Sequence, residues 1–180
     1  STKRIAILTG GGDVPGLNAV IKSVVYRATE AGYDVLGLRR GWEALTHVQP
    51  QLAGGGGTGY LLPLDRSNTR TIDRTGGTML HTSRTNPRKM RAAGLPPWLA
   101  EGERSRFLIA DGVYDLTPIV LDHLASLGVD VLVTIGGDDT LSYSQVLADA
   151  GIKLMAIPKT MDNDVQGTEY CIGFSTAITR

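Results

Sequence analysis

Three short apolar runs in this chain each lead directly into a polar loop. RIAILT (4–9) runs into GGGD, DVLVTI (130–135) into GGDDT, and KLMAIP (153–158) into KTMDND. Nearly continuous apolar runs of this length are what strands buried on both faces look like, and such strands belong to parallel sheets. Helical patterns separate them. Val20, Val24, Val25 and Ala28 recur at three- and four-residue spacing from about Leu17 to Ala31, and Gly32 closes that segment before the strand DVLGL (34–38). A second helix is expected after Thr117 as N-cap and Pro118 in the first helical position. Its core contacts would be Ile119, Leu121, Leu124 and Leu127, with Gly128 as its stop. A third is expected from about Leu141 to Asp149, ended by Gly151. Strand, turn, helix and strand in this order predict βαβ units. The fold class is therefore α/β, a Rossmann-like three-layer αβα arrangement with a mostly parallel sheet.

The middle of the chain is less regular. Residues 49–65 read as a glycine-rich loop with a possible short strand. Residues 69–90 mix arginine, threonine and glycine with little periodicity. The prolines and charges of RAAGLPPWLAEGERSR (91–106) predict an exposed excursion of loop or short helix.

Composition narrows the function classes. Eighteen basic residues balance eighteen acidic ones, so no net field points to nucleic acid or a membrane surface. Cys171 is the only cysteine, which excludes an internal disulfide and fits a reducing compartment. With no run as long as a spanning helix and no signal-peptide pattern, the expectation is a cytoplasmic protein.

In a parallel sheet the loops that follow strands share one edge, and ligands bind there where the strand order reverses. If DVLVTI and KLMAIP are neighbours, Asp138, Asp162 and Asp164 converge despite their separation in sequence. Gly10, Gly11 and Gly12 let the backbone approach a ligand and turn its N–H groups toward an anion, although a tight strand-to-helix turn needs the same residues. GGGDVPG matches neither the dinucleotide fingerprint nor the P-loop. Asp138 and Asp139 repel each other unless something positive sits beside them. Magnesium, which takes one or two carboxylates plus phosphates, is one answer, and a helix cap is the other. Arg84, Arg88 and Lys89 offer phosphate-binding cations or a solvated loop. Asp162 and Asp164 leave a turn, a metal site and a catalytic base open. His47, His81 and His123 lack ligand spacing and read as structural, while Trp42 and Trp98 read as packing residues.

Taken together, RIAILTGGGDVPGLNAVI, TGGTMLHTSRTNP, VLVTIGGDDTLSYS and IPKTMDNDVQGTEYCIGFSTAI resemble, in order, the phosphofructokinase family. The resemblance implies phosphorylation of fructose 6-phosphate at its 1-hydroxyl with Mg2+, in a homo-oligomer, dimer or tetramer. Carried over, Gly11 would offer its N–H to the phosphoryl donor, with Gly12, Asp139, Thr140 and Arg88 also on the donor side. Asp138 would bind magnesium, helped by Asp164, and Asp162 would be the general base. Thr160 would hold the sugar or the transferring phosphoryl, whose charge Arg84 would neutralise. ATP-using members typically read GGDG and PGT where this chain has GGDD and PKT. Asp139 and Lys159 are the pair that resembles pyrophosphate-dependent members, since a carboxylate opposes the α-phosphate of ATP and the lysine compensates a small, highly charged donor. An ATP-dependent enzyme and a non-catalytic phosphate-binding or regulatory piece are the alternatives. Members are considerably longer than this chain, so residues 1–180 are expected to be an N-terminal donor-binding domain without the C-terminal substrate domain.

Overall fold

A computed structural model of the chain describes residues 2–12, 16–52 and 59–159. Thr160, Asp162 and Asp164 therefore lie outside the described residues. Five strands form one sheet in the order β3-β2-β1-β6-β7, comprising β1 (Arg4–Thr9), β2 (Asp34–Leu38), β3 (Leu61–Leu64), β6 (Val131–Gly136) and β7 (Leu154–Pro158). All neighbours are parallel except β3, which runs antiparallel to β2 at the edge. An edge is where Pro63 is tolerated, because proline cannot donate to a ladder on both sides.

The period of two along each strand divides the core. Ala6, Leu8, Leu36, Leu38 and Leu132 face one side, where α2 (Trp42–His47), α4 (Thr117–Ser126) and α5 (Asp138–Asp149) cover them. Ile7, Val35, Val133 and Ile135 face the other side, where α1 (Leu17–Glu30) packs through Leu17, Ile21, Val25 and Ala28. Leu8, Leu132 and Leu147 are fully buried, and removing a side chain of that size from water contributes about 1.5–3 kcal/mol. From β1 the chain crosses to β2 on the α1 face, while β6 pairs with the other side of β1. The strand order thus reverses between β1 and β6.

Three expectations need correction. The helix anticipated from Leu141 begins at Asp138, because Gly137 already accepts the first helical bond from Leu141 N–H at 3.0 Å. Thr117 does not cap α4. Leu116 is the cap position, and Asp115 Oδ1 accepts from the Thr117 N–H at 2.9 Å. The expected contacts hold, since Leu124 and Leu127 are buried in the core, Leu121 packs against it and Ile119 against a separate cluster, and Val120 and His123 are buried beside them. Residues 91–106 are also more than an exposed excursion. Met90, Leu95, Leu99 and Leu116 form a third apolar cluster, joined by Trp98, Phe107 and Tyr114. It leads through the short strands β4 (Leu108–Ala110) and β5 (Val113–Tyr114), which make a hairpin of their own. A third small helix, α3 (Arg66–Thr69), follows β3 and is capped by Asp65 and Asn68 in a reciprocal box.

Two histidines tie this cluster to the main core. Trp98 Nε1 donates to the His47 carbonyl at 2.9 Å, and its ring lies 5.6 Å from that of His123. His123 Nδ1 is 2.6 Å from the Leu45 carbonyl, so the ring holds a hydrogen bond to the backbone of α2. Burial lowers the pKa of both His47 and His123 from the ordinary 6.5. The unfolded chain therefore binds more protons just below that value, and stability must rise with pH in that window. We expect unfolding free energy to fall as pH drops below 6.5 and to level off beneath the depressed folded values. His123→Asn should flatten part of this slope in denaturant titrations between about pH 5 and 7; an unchanged slope would count against a role for His123.

Candidate active site at the carboxyl edge of the sheet

The loops after β1, β2, β6 and β7 meet at one end of the sheet. Gly10 N–H donates to the Ile135 carbonyl at 2.8 Å, and Lys159 N–H donates to the Gly136 carbonyl at 2.9 Å. These two bonds extend the parallel ladder by one residue on each side of β6. Thr140, in the first turn of α5, fills the space between the turns after β1 and β6. A Cβ on Gly10 would lie 2.4 Å from Thr140 Oγ1, and one on Gly136 would lie 2.4 Å from Thr140 Cβ. Neither glycine can therefore be replaced without moving that helix.

Gly11 adopts φ +78, the left-handed region that only glycine enters without strain, and a Cβ there would meet Lys159 Nζ at 3.4 Å. The Lys159 ammonium donates to the Gly12 carbonyl, and the residue is 3% exposed. A buried cation beside a glycine turn raises the local positive potential. The N-terminus of α5 adds to it, since its first N–H groups have no partner within the helix. Asp138 and Asp139 sit in that first turn and are exposed, and among the described residues no side chain caps the helix. The helix dipole accommodates their charge in part, so they do not depend on a bound cation to coexist.

A cavity of about 330 Å³ opens here, lined by Gly11, Gly12, Trp42, Arg84, Asp139 and Thr140 together with Ser83, Thr85 and Asn86. That volume is in the range of small-ligand sites. The loop that carries residues 83–86 is pinned from below by side chains the sequence did not single out. Asn18 accepts from the Met79 N–H at 2.7 Å and donates to the Thr75 carbonyl at 3.0 Å. Thr9 Oγ1 donates to the His81 carbonyl at 3.0 Å. Ser83 Oγ donates to the Arg40 carbonyl at 2.7 Å, which joins the loop to the turn before α2.

Of the residues singled out in the sequence, Gly11, Gly12, Arg84, Asp139 and Thr140 line the cavity, and Lys159 lies against its glycine turn. Asp138 is adjacent but not among the lining residues, and Arg88 is exposed outside it, its N–H donating to Asn86 Oδ1 at 3.0 Å. Trp42, expected only to pack, is a wall of the cavity as well as part of the core. No periodicity could have revealed this, because Trp42 is delivered by two successive left-handed residues, Arg40 (φ 64) and Gly41 (φ 59). Among the described residues no group of three or more His, Cys, Asp or Glu side chains could hold a metal. The hard carboxylate oxygens of Asp138 and Asp139 still fit magnesium, which takes few protein ligands and completes its shell with phosphate and water. Among the same residues no helix is long and apolar enough to cross a membrane.

An open, mostly parallel sheet whose loops gather at its switch point defines an α/β protein of the Rossmann-like kind. The chain belongs to the phosphofructokinase family, whose model matches residues 4–180. It is 41% identical over 177 residues to a pyrophosphate–fructose 6-phosphate 1-phosphotransferase of Streptomyces coelicolor, covering 97% of this chain and 42% of that protein. It is also 37% identical over 177 residues to an ATP-dependent 6-phosphofructokinase 3 of the same organism, covering 98% of this chain and 42% of that protein. The chain thus spans about two fifths of the length of these curated relatives. Among solved structures, phosphofructokinase from Saccharomyces cerevisiae superimposes with a TM-score of 0.70 at 22% identity, over 98% of this chain and 22% of that one. This last likeness shows the fold.

If Thr140 dictates the two glycines, Gly10→Ala should destabilise the protein by about 1–3 kcal/mol, the usual cost of overpacking. Adding Thr140→Ala should recover most of that loss in urea unfolding, because the threonine Oγ1 is the atom in conflict. Simple additivity of the two losses would contradict the wedge.

Proposed function

We propose that this chain is the phosphoryl-donor domain of a pyrophosphate-dependent 6-phosphofructokinase that forms fructose 1,6-bisphosphate in glycolysis and can run in reverse. The observation that carries the reading is the pairing of a buried Lys159 against the Gly11–Gly12 turn with Asp139 in the cavity wall. A small, highly charged donor without a nucleoside gains from the lysine, whereas the carboxylate opposes a nucleotide α-phosphate. Relatives more than twice as long support a second, substrate-binding domain outside residues 1–180, and a homo-oligomer goes with it.

In this reading Gly11 N–H and Lys159 hold the donor phosphates, and Arg84 neutralises charge on the transferring group. Asp138, with Asp164, would hold Mg2+, which offsets charge on the phosphate oxygens when bound. Asp162 takes the proton from the sugar 1-hydroxyl as its oxygen attacks phosphorus. The bridging P–O bond breaks and inorganic phosphate leaves. Thr160 steadies the sugar or the transferring group. ATP as donor is the second reading, favoured by the ATP-dependent relatives at 37% and 39% identity.

The test compares pyrophosphate with ATP in the full-length protein, with fructose 6-phosphate and magnesium. Pyrophosphate should give the higher kcat/KM, and faster turnover with ATP would overturn the donor assignment. Asp162→Ala should lower kcat by about 100-fold or more, the contribution expected of a general base, and a near wild-type rate would remove it from that role. Asp139→Gly combined with Lys159→Gly should raise ATP use relative to pyrophosphate.

A further inference from the structure

Trp42 is an unusual wall for a phosphate site. Its indole is 4% exposed, and its Nε1 is buried without a hydrogen-bond partner among the described residues. Among the described residues no hydrogen bond orients the ring, and packing positions it. The aromatic partner of that ring is Tyr143, which meets it edge-to-face with centroids 4.8 Å apart and planes at 78°. Tyr143 lies on α5, one turn after Asp139, and is itself buried.

The tyrosine is anchored at its far end. Its hydroxyl is 3.1 Å from Thr117 Oγ1, which donates to Asp115 Oδ1 at 2.5 Å. Asp115 N–H in turn donates to the Phe107 carbonyl at 2.9 Å, and the next residue, Leu116, donates its N–H to the Pro87 carbonyl at 2.7 Å. Pro87 directly follows the lining residue Asn86. One junction, residues 115–117, therefore fixes two walls of the cavity. It holds the 83–86 loop through Pro87 and the Trp42 indole through Tyr143.

The geometry points to Tyr143 as a positioning residue for the phosphoryl donor: anchored by Thr117 and Asp115, its edge-to-face contact sets the Trp42 wall of the cavity. This rests on the reading of that cavity as the donor site. Tyr143 need not touch the donor. The residue acts on donor affinity and leaves the sugar side and the chemical step alone.

The test uses Tyr143→Phe and Thr117→Val in the full-length protein, assayed with whichever donor supports turnover. Either change keeps the aromatic pair and removes the Tyr143–Thr117 hydrogen bond, and should raise the donor KM about two- to tenfold, the range a single hydrogen bond is worth. The kcat and the fructose 6-phosphate KM should stay within about twofold. The double variant should be no worse than the single ones, since both remove the same interaction. A fall in kcat at constant donor KM, or a parallel rise in both KM values, would overturn the proposal. A second readout does not need turnover. Pyrophosphate added without sugar phosphate should change tryptophan emission, the change should vanish in Trp42→Phe, and Tyr143→Phe should move its midpoint to higher concentration. If neither donor is turned over, the proposed function fails. The emission titration still decides the positioning role, and an unshifted midpoint would reject it.

Discussion

The site depends on one small side chain, Thr140, wedged between the turns that follow β1 and β6. Its atoms occupy the space where Gly10 and Gly136 would carry a Cβ, so those glycines are required by contact as well as by backbone freedom. This close approach brings the start of α5, with Asp138 and Asp139, against the first glycine turn. Lys159 closes the arrangement from the third side, its backbone on Gly136 and its ammonium on Gly12. Three loops that are far apart in sequence become one surface because neighbouring parallel strands end level with each other.

That surface is electrostatically mixed. The buried ammonium, the Arg84 guanidinium and the first turn of α5 favour an anion, whereas two exposed carboxylates resist one. A site of this kind discriminates among anions by where their charge lies and does not simply attract negative charge. The structure also couples the site to the third apolar cluster. The apolar cluster around Met90 and Leu116 is locked to α2 through Trp98 and to α5 through Thr117 and Tyr143, whose phenol burial holds well above its ordinary pKa. The irregular middle of the chain is thus part of the scaffold that shapes the cavity.

The strands β1, β2, β6 and β7 and the helix α1 were legible because apolar runs and 3.6-residue spacing survive in any context that buries them. α2, the β4–β5 hairpin and the Met90 cluster were not. α2 is only six residues long, β4 and β5 have three and two, and the cluster's buried members Met90, Leu95, Leu99 and Leu116 lie in irregular chain around Pro96 and Pro97, without a period. The shift of the α5 start to Asp138 has a local cause. GGDD reads as a turn, yet extended Gly137 followed directly by helix leaves both acids on the dipole.

By itself the sequence determined the class of fold, the edge at which the polar loops gather, and the ordered blocks that mark a phosphofructokinase. These rest on local pattern and on the rule that parallel strands deliver their loops to one side. Only the tertiary structure decided that Thr140 requires Gly10 and Gly136, that Lys159 is buried against the Gly11–Gly12 turn, that Arg88 stands outside the cavity, and that Trp42 forms its wall. Each of these is a contact between residues distant in the chain. Such contacts depend on strand order, register and side-chain shape together, and no spacing along the sequence encodes them.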